Sequence, residues 1–214
     1  PSLHLVKYAR SFIDRAMLFL IRNLYDKAYK IIVISEFIKN DLANFNIDRK
    51  KIVKIYNPID IKNISDLSEK EVSHPWFKED VPVFLSVGRL SRQKGFEYLL
   101  KAFAVVKEKM VARLLILGEG EEENYLKDLS RKLGIDDAVD FAGFEQNPYK
   151  YMKRATIYVM SSLYEGFPMV LLEAMVCGVP IISTIYNPGS NEIVENEKDG
   201  LLVPVADEKT LAEA

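Results

Sequence analysis

Residues 157–183 read IYVMSSLYEGFPMVLLEAMVCGVPIIS. The run 157–160 has the β-branched and aromatic character of a strand, and the strand 179–183 closes the segment. The nine residues between Pro168 and Gly178 are almost wholly apolar, which predicts a helix buried on most sides. Strand, helix, strand at this spacing is the repeating unit of a parallel sheet. Pro168 suits the first helical position, where no amide donor is needed. Two glutamates lie eight positions apart, Glu165 in the loop and Glu173 inside the apolar helix. A carboxylate in a buried helix is costly unless it is paired or hydrogen-bonded. Glu165 precedes a helix start, where free amides and the helix dipole favour anions. These features fit either a polar ligand meeting the helix or one capping and one internally paired glutamate, and spacing alone leaves both open.

The same rhythm extends back to Val81. Strands are predicted at 83–87, 113–117, 139–142 and 157–160, with helices at 96–109 and 122–133 and a short one at 148–154. A helical turn at 191–196 and a last strand at 200–203 follow. Alternating short apolar strands and helices predict an α/β fold, a parallel sheet with helices on both faces. Ahead of it, residues 2–29 read as a basic amphipathic helix, either packed with a solvated basic face or lying on an anionic membrane surface. A strand at 30–35, a helix capped by Ser35 at 36–45 and a strand at 51–56 come next. Asn57-Pro58 stops that strand, and polar residues run on to Asp80. The expected organisation is a first domain over 1–56, a linker over 57–80, docked by the aromatics of His74-Pro75-Trp76-Phe77, and a second domain over 81–214.

Composition narrows the function. The 214 residues are 49% hydrophobic, enough for a full core, and the net charge of −2 argues against a general nucleic-acid binder. The single cysteine, Cys177, excludes an internal disulfide and reads as a small core residue. His4 and His74 are isolated and take no assigned role. No signal peptide and no membrane-spanning run is evident, so a cytoplasmic setting is expected. The chain begins without Met and ends inside an apparent helix, so it reads as a fragment.

Ligands of open parallel sheets bind beyond the carboxyl ends of the strands. Each loop at that edge carries glycine, charge or both. The first is Gly88-Arg89-Leu90-Ser91-Arg92-Gln93-Lys94-Gly95, where Arg89 and Lys94 either reach one phosphate group or belong to a solvated basic loop. The second, Gly118-Glu119-Gly120, lets a flat base or sugar approach the main chain but lacks the full dinucleotide fingerprint. The third, Gly143-Phe144-Glu145, either reads a nucleobase edge or is simply a loop. The fourth holds Glu165 and Gly166, with Glu173 as an acceptor suited to vicinal hydroxyls. The fifth, Asn187-Pro188-Gly189-Ser190, precedes Glu192. No D-x-D motif, phosphate loop or nucleophile elbow occurs, so no metal site is expected and phosphate charge falls to Arg89, Lys94 and helix amides.

The segments VGRLSRQKGFEYLLKAF, LLILGEGEEENYL, VDFAGFEQNPYKYM and SSLYEGFPMVLLEAMVCGVPII resemble retaining glycosyltransferases of glycosyltransferase family 4, which have the GT-B fold. The resemblance is densest from Val83 to Val203. It implies a Rossmann-like, nucleotide-sugar-binding domain from about Val81 onward and the end of an acceptor-binding domain up to about Tyr56. Arg89 and Lys94 match the pair that holds the donor diphosphate, Glu173 the glutamate that accepts the ribose hydroxyls, and Glu165 the glutamate facing the donor sugar. Gly166, Phe167, Pro168 and Met169 match the segment around that sugar and phosphate. Gly88, Gly118, Glu119, Gly120, Gly143, Phe144 and Glu145 match donor-side loops near the diphosphate and nucleoside.

The implied reaction transfers a glycosyl unit, hexosyl or N-acetylhexosaminyl, from a nucleotide diphosphate sugar to a hydroxyl acceptor with retained anomeric configuration. A UDP-sugar is the preferred donor, a glycan or lipid-linked glycan the acceptor, and no cofactor is required. The implied setting is surface polysaccharide or glycolipid synthesis, with possible peripheral membrane contact through the basic helix. The resemblance also implies that the first half of the acceptor-side domain is absent and that the fragment alone is inactive. A GT-B-type sugar-nucleotide epimerase and a non-catalytic nucleotide-sugar-binding module are the alternatives.

Overall fold

A computed structural model describes residues 19–20, 23–44, 47–186 and 192–214. The predicted basic helix over 2–29 and the loop 187–190 therefore lie mostly or wholly outside the described residues. The main body is a six-stranded sheet built from β3 (Val83–Val87), β4 (Arg113–Leu117), β5 (Val139–Phe141), β6 (Ile157–Met160), β7 (Ile181–Ile185) and β8 (Leu201–Pro204). Their order across the sheet is β5-β4-β3-β6-β7-β8. Every pairing is parallel, with Leu85 opposite Leu115 and Tyr158 opposite Ile181. The expected parallel α/β sheet with helices on both faces is what the chain forms.

Alternation along the strands sorts side chains into two cores. Leu115 and Leu117 of β4, with Tyr158 and Met160 of β6, face one layer. Leu114, Ile116 and Val159 face the other. The first layer is covered by α2 (Ile61–Ser68), α5 (Tyr149–Met152) and α6 (Met169–Cys177), through Ile64, Met152, Leu171 and Ala174. The second is covered by α3 (Phe96–Lys109), α4 (Glu123–Lys132) and α7 (Glu208–Glu213), through Leu100, Phe103, Leu126 and Leu211. Leu85, Leu100, Leu114, Leu115 and Ile116 are 0% exposed, and each contributes about 1.5–3 kcal/mol by leaving water.

A second, smaller parallel sheet pairs β1 (Ile31–Val33) with β2 (Ile52–Lys54), covered by α1 (Glu36–Ala43). Ser35 caps α1 by accepting from the Ile38 amide at 3.1 Å. Glu192 crosses from the larger body and also caps α1. Its carboxylate accepts from the Glu36 amide at 2.8 and 3.0 Å, from the Phe37 amide at 3.1 Å and from the Tyr56 hydroxyl at 3.1 Å.

Two differences from the sequence reading are physical. The polar stretch 57–80 holds the helix α2, whose Asp60 side chain accepts from the Asn63 amide at 3.0 Å. Its apolar stripe is narrow, with Ile64 buried and Ile61 exposed, so the surrounding charge masks the helical period. Pro168 is the N-cap of α6 in an extended conformation, with ψ of 94°, and the helix begins one residue later at Met169. As expected, Trp76 and Phe77 dock the connecting segment on the core. His74, given no role by the sequence, joins them: Nδ1 accepts from the Trp76 amide at 3.3 Å, so Nε2 donates to Asp140 at 2.9 Å.

Candidate functional site

The chain runs outward from β3 in both directions, through β4 to β5 and through β6 to β8. Such a switch of direction opens a crevice at the carboxyl ends of the two central strands, here β3 and β6. The loop after β3 and the loop after β6 meet there. Lys94 and Glu165, 71 residues apart in sequence, form an ion pair with Nζ to Oε1 at 2.6 Å. Ser162 Oγ donates to the same oxygen at 2.8 Å, and Gln93 Nε2 donates to Oε2 at 3.3 Å and to the Tyr164 carbonyl at 2.9 Å. The Glu165 side chain is only 11% exposed and that of Lys94 21%, so the pair is largely shielded from screening by water and salt.

The backbone beneath is tightly sewn. Gln93 accepts from the Leu163 amide at 2.8 Å, and Thr184 Oγ1 donates to the Ser162 carbonyl at 2.5 Å. Gly95 has φ of 64°, and a Cβ there would lie 2.2 Å from the Ser161 carbonyl oxygen. Gly118 is similar: its φ is 139°, and a Cβ would lie 2.0 Å from the Gly88 carbonyl oxygen. The absent side chain at Gly118 thus makes room for the neighbouring loop. A Cβ on Gly120 would likewise meet the Leu90 carbonyl oxygen, at 2.3 Å. The Gly118 amide also donates to the Gly143 carbonyl at 2.7 Å, which ties the third loop to the second.

Next to this corner lies a cleft of about 460 Å³. Gly88, Arg89, Gly118, Glu119, Phe144, Glu145 and Glu173, all singled out from sequence, line it. Glu173 is partly buried on α6. Burial raises its carboxyl pKa above the usual range, and the Tyr149 hydroxyl opposes that shift by contacting the charged form. Tyr158, buried beneath with its hydroxyl 3.4 Å from the Val87 carbonyl, is within electrostatic reach of both Glu165 and Glu173. The stem of Lys94 runs over Gly88, where a Cβ would stand 3.3 Å from Cε, so the lysine reaches along the edge of the same cleft.

The two cations expected to act together are held differently. Arg89 is 76% exposed and pairs with Glu121 at 3.4 Å, a contact worth little in water. Lys94 is committed to Glu165. Glu145 is engaged locally: burial works against its charge, but the Asn147 amide at 3.0 Å and Lys150 at 3.2 Å outweigh it and hold the pKa low. Glu119 Oε1 is 3.4 Å from the Phe144 amide, and the Phe144 ring is exposed at the cleft mouth. Gly166 lies beside Ile38 of α1, and Phe167 stacks on Tyr56 with centroids 5.4 Å apart. The smaller sheet's segment therefore borders the site.

Sequence reasoning missed Gln93, Ser162 and Tyr149. The first two adjoin chosen residues and carry no motif of their own. Tyr149 sits in a one-turn helix where an aromatic reads as core. Cys177, taken as a core residue, is buried, and that burial pushes its thiol up to about 11.

Among the described residues no helix is long and apolar enough to cross a membrane, and no three metal-ligating side chains converge. Comparisons with known proteins converge on one group. Residues 68–214 match the family model "Glycosyl transferases group 1", and residues 1–63 match "Glycosyltransferase Family 4". The chain is 36% identical over 194 residues, 90% of its length and 51% of the relative's, to the N-acetylgalactosamine-N,N'-diacetylbacillosaminyl-diphospho-undecaprenol 4-alpha-N-acetylgalactosaminyltransferase of Campylobacter jejuni. Its structure resembles Anabaena HepE in complex with UDP, with a TM-score of 0.81 and 25% identity over 93% of this chain and 56% of that one. It also resembles the lipopolysaccharide outer core galactosyltransferase WaaB, with a TM-score of 0.69 and 28% identity over 87% of this chain and 51% of that one. The chain spans about half the length of the relatives it matches. The expected GT-B architecture agrees with these structures.

Proposed function

The chain belongs to the group 1 glycosyl transferases, and from that premise we propose that it is the donor-side part of an enzyme transferring a glycosyl unit from a UDP-sugar to a hydroxyl acceptor, with retention of configuration. The observation that carries the reading is the adjacency of two sites at one sheet edge: the Lys94–Glu165 corner and the cleft holding Glu173 and Arg89. In this reading the ribose hydroxyls donate to Glu173. The diphosphate lies between Arg89 and Lys94, and the main chain of residues 166–169, with amide donors at Gly166, Phe167 and Met169, borders sugar and phosphate. The sugar then faces Glu165. The base enters along Phe144 and Glu145. No metal or cofactor is invoked.

Departure of the nucleoside diphosphate builds negative charge on the β-phosphate. Cations at that charge, Lys94 held in place by Glu165 and Arg89 drawn in from its exposed position, are the main catalytic contribution available here. Glu165 suits an orienting role better than that of a nucleophile. Oε1 already takes two donors and Oε2 a third, and Lys94 beside it withdraws electron density. A front-face displacement, in which the departing phosphate takes the acceptor's proton, fits this arrangement. Surface polysaccharide or glycolipid assembly at the membrane is the setting that the names of the C. jejuni relative and WaaB support. The acceptor is then a glycan or lipid-linked glycan.

The test is calorimetry of the full-length protein with UDP, GDP and ADP, followed by release of nucleoside diphosphate from the matching sugars with and without a hydroxyl acceptor. Tight UDP binding and acceptor-dependent turnover are expected. Acceptor-independent conversion would identify an epimerase, and binding without turnover of any donor a non-catalytic module.

A further inference from the structure

We infer that Tyr56 is a positioning residue for sugar transfer: anchored at its hydroxyl by Glu192 and Lys54, it holds Phe167 and so fixes the loop 165–168 at the edge of the donor site. This rests on the proposed donor-sugar reading of that loop. Tyr56 follows β2 of the smaller sheet, and Phe167 leads into α6 of the larger body. Their rings stack with an interplanar angle of 28° and centroids 5.4 Å apart.

The anchor is over-determined. The Glu192 carboxylate already accepts from the Glu36 amide at 2.8 and 3.0 Å and from the Phe37 amide at 3.1 Å, at the start of α1, where the helix dipole favours an anion. The Tyr56 hydroxyl donates to Glu192 Oε2 at 3.1 Å and accepts from Lys54 Nζ at 2.8 Å. A phenol has one proton to give, so an ammonium on one side and a carboxylate on the other fix its direction. The Glu192 side chain is 15% exposed, so water competes little for these bonds.

One carboxylate thus ties α1 and Tyr56 together, and both reach consecutive residues of the loop. A Cβ on Gly166 would stand 3.7 Å from Ile38 Cδ1 of α1, and Tyr56 lies against Phe167. Phe167 also packs against the core of the larger body. At the other end of the loop, Glu165 is held by Lys94, Ser162 and Gln93. With both ends held, the loop presents one arrangement to a ligand. A loop that reaches that arrangement only part of the time lowers the apparent affinity of whatever it contacts by that fraction.

The experiment measures UDP affinity, kcat/KM for the UDP-sugar that the wild type uses, and melting temperature. It compares the full-length wild type with Tyr56→Phe, Tyr56→Leu, Phe167→Leu and the double variant Tyr56→Leu/Phe167→Leu. Tyr56→Leu loses ring and anchor, so it should lower kcat/KM about 3–10-fold yet change UDP affinity less than about twofold, because the cleft holding Arg89 and Glu173 is untouched. Tyr56→Phe keeps the stack and should recover part of that loss. The double variant should be no slower than the slower single variant, since the tyrosine acts through Phe167. Effects of Tyr56→Leu and Phe167→Leu that multiply overturn the inference, as does a loss of UDP affinity as large as the loss of kcat/KM. A lower melting temperature with kcat/KM unchanged assigns the contact to stability alone and overturns it too. If the wild type transfers sugar and both Tyr56 variants match it, Tyr56 alone is misassigned. If the wild type turns over no UDP-sugar, the donor reading falls and the inference with it.

Discussion

The two glutamates of α6 and its leading loop occupy contrasting surroundings. Glu165 is 11% exposed yet receives Lys94, Ser162 and Gln93, so its charge is met inside the protein. Glu173 is partly buried with a phenol facing it, and burial dominates its electrostatics. The first corner is finished before any ligand arrives. The second is costly to hold ionised, and a ligand's hydroxyl groups would relieve that cost. A protein accepts such a cost where the group is needed for binding, which is the usual conflict between stability and function. The contrast also separates the cations: Lys94 is part of the finished corner, whereas Arg89 is exposed and can move towards a ligand.

The largest effect should come from breaking the corner. Lys94→Ala should cost turnover about 10²–10³-fold, on the scale of removing one preorganised donor to a developing anion. It should also lower stability, because Glu165 is left shielded without its cation. Arg89→Ala should cost turnover comparably but leave the melting temperature within about 1 °C, since its pair with Glu121 is exposed. Steady-state kinetics and thermal melts on the full-length protein check both. A melting temperature that falls equally in the two variants would erase the distinction between the cations.

Glu173→Gln should act in opposite directions on two measurements. It should weaken UDP about tenfold or more, yet raise the melting temperature of the free protein by about 1–3 °C by removing a partly buried charge. Loss of both affinity and stability would show that Glu173 serves the fold instead.

A smaller, pH-dependent effect follows with its sign. The folded pKa of Glu173 is raised above its unfolded value, so between the two the native state binds more protons. Its contribution therefore favours folding at acid pH and declines as pH rises from the ordinary carboxylate range through the raised folded value. The stability difference between Glu173→Gln and wild type should accordingly grow across that window in denaturant melts and level off above it. A difference that stays flat with pH would mean the carboxylate is not desolvated. The smallest effect concerns Cys177 on the same helix. With its thiol pushed up to about 11, it should resist alkylation at pH 8 in the native protein and react once denaturant is added.

Much of this architecture is legible without coordinates. Strands β3, β4 and β6 and helix α3 fall at the predicted bounds, because the strands are short runs dominated by apolar residues and the helix repeats its apolar residues at helical spacing between polar loops. Where the signal is thin, reading fails. Helix α2 hides within a charged stretch, and Pro168 stops one residue outside α6. The residues singled out for chemistry largely reach one sheet edge, since a parallel sheet delivers every strand's carboxyl end to the same side. Their partners are another matter. Nothing local in Gln93, Ser162 or Tyr149 distinguishes them from ordinary loop or core residues.

The pattern of hydrophobic blocks, turn residues and charged loops determined the fold class, the succession of strands and helices along the chain and the set of residues at the carboxyl edge of the sheet, because those depend on short-range periodicity. Tertiary structure alone decided which of them touch. The reversal of direction at β3 and β6 sets Lys94 against Glu165, and packing of α5 on α6 brings Tyr149 to Glu173. Contacts between residues tens of positions apart depend on strand order and helix packing, which no local window of sequence contains.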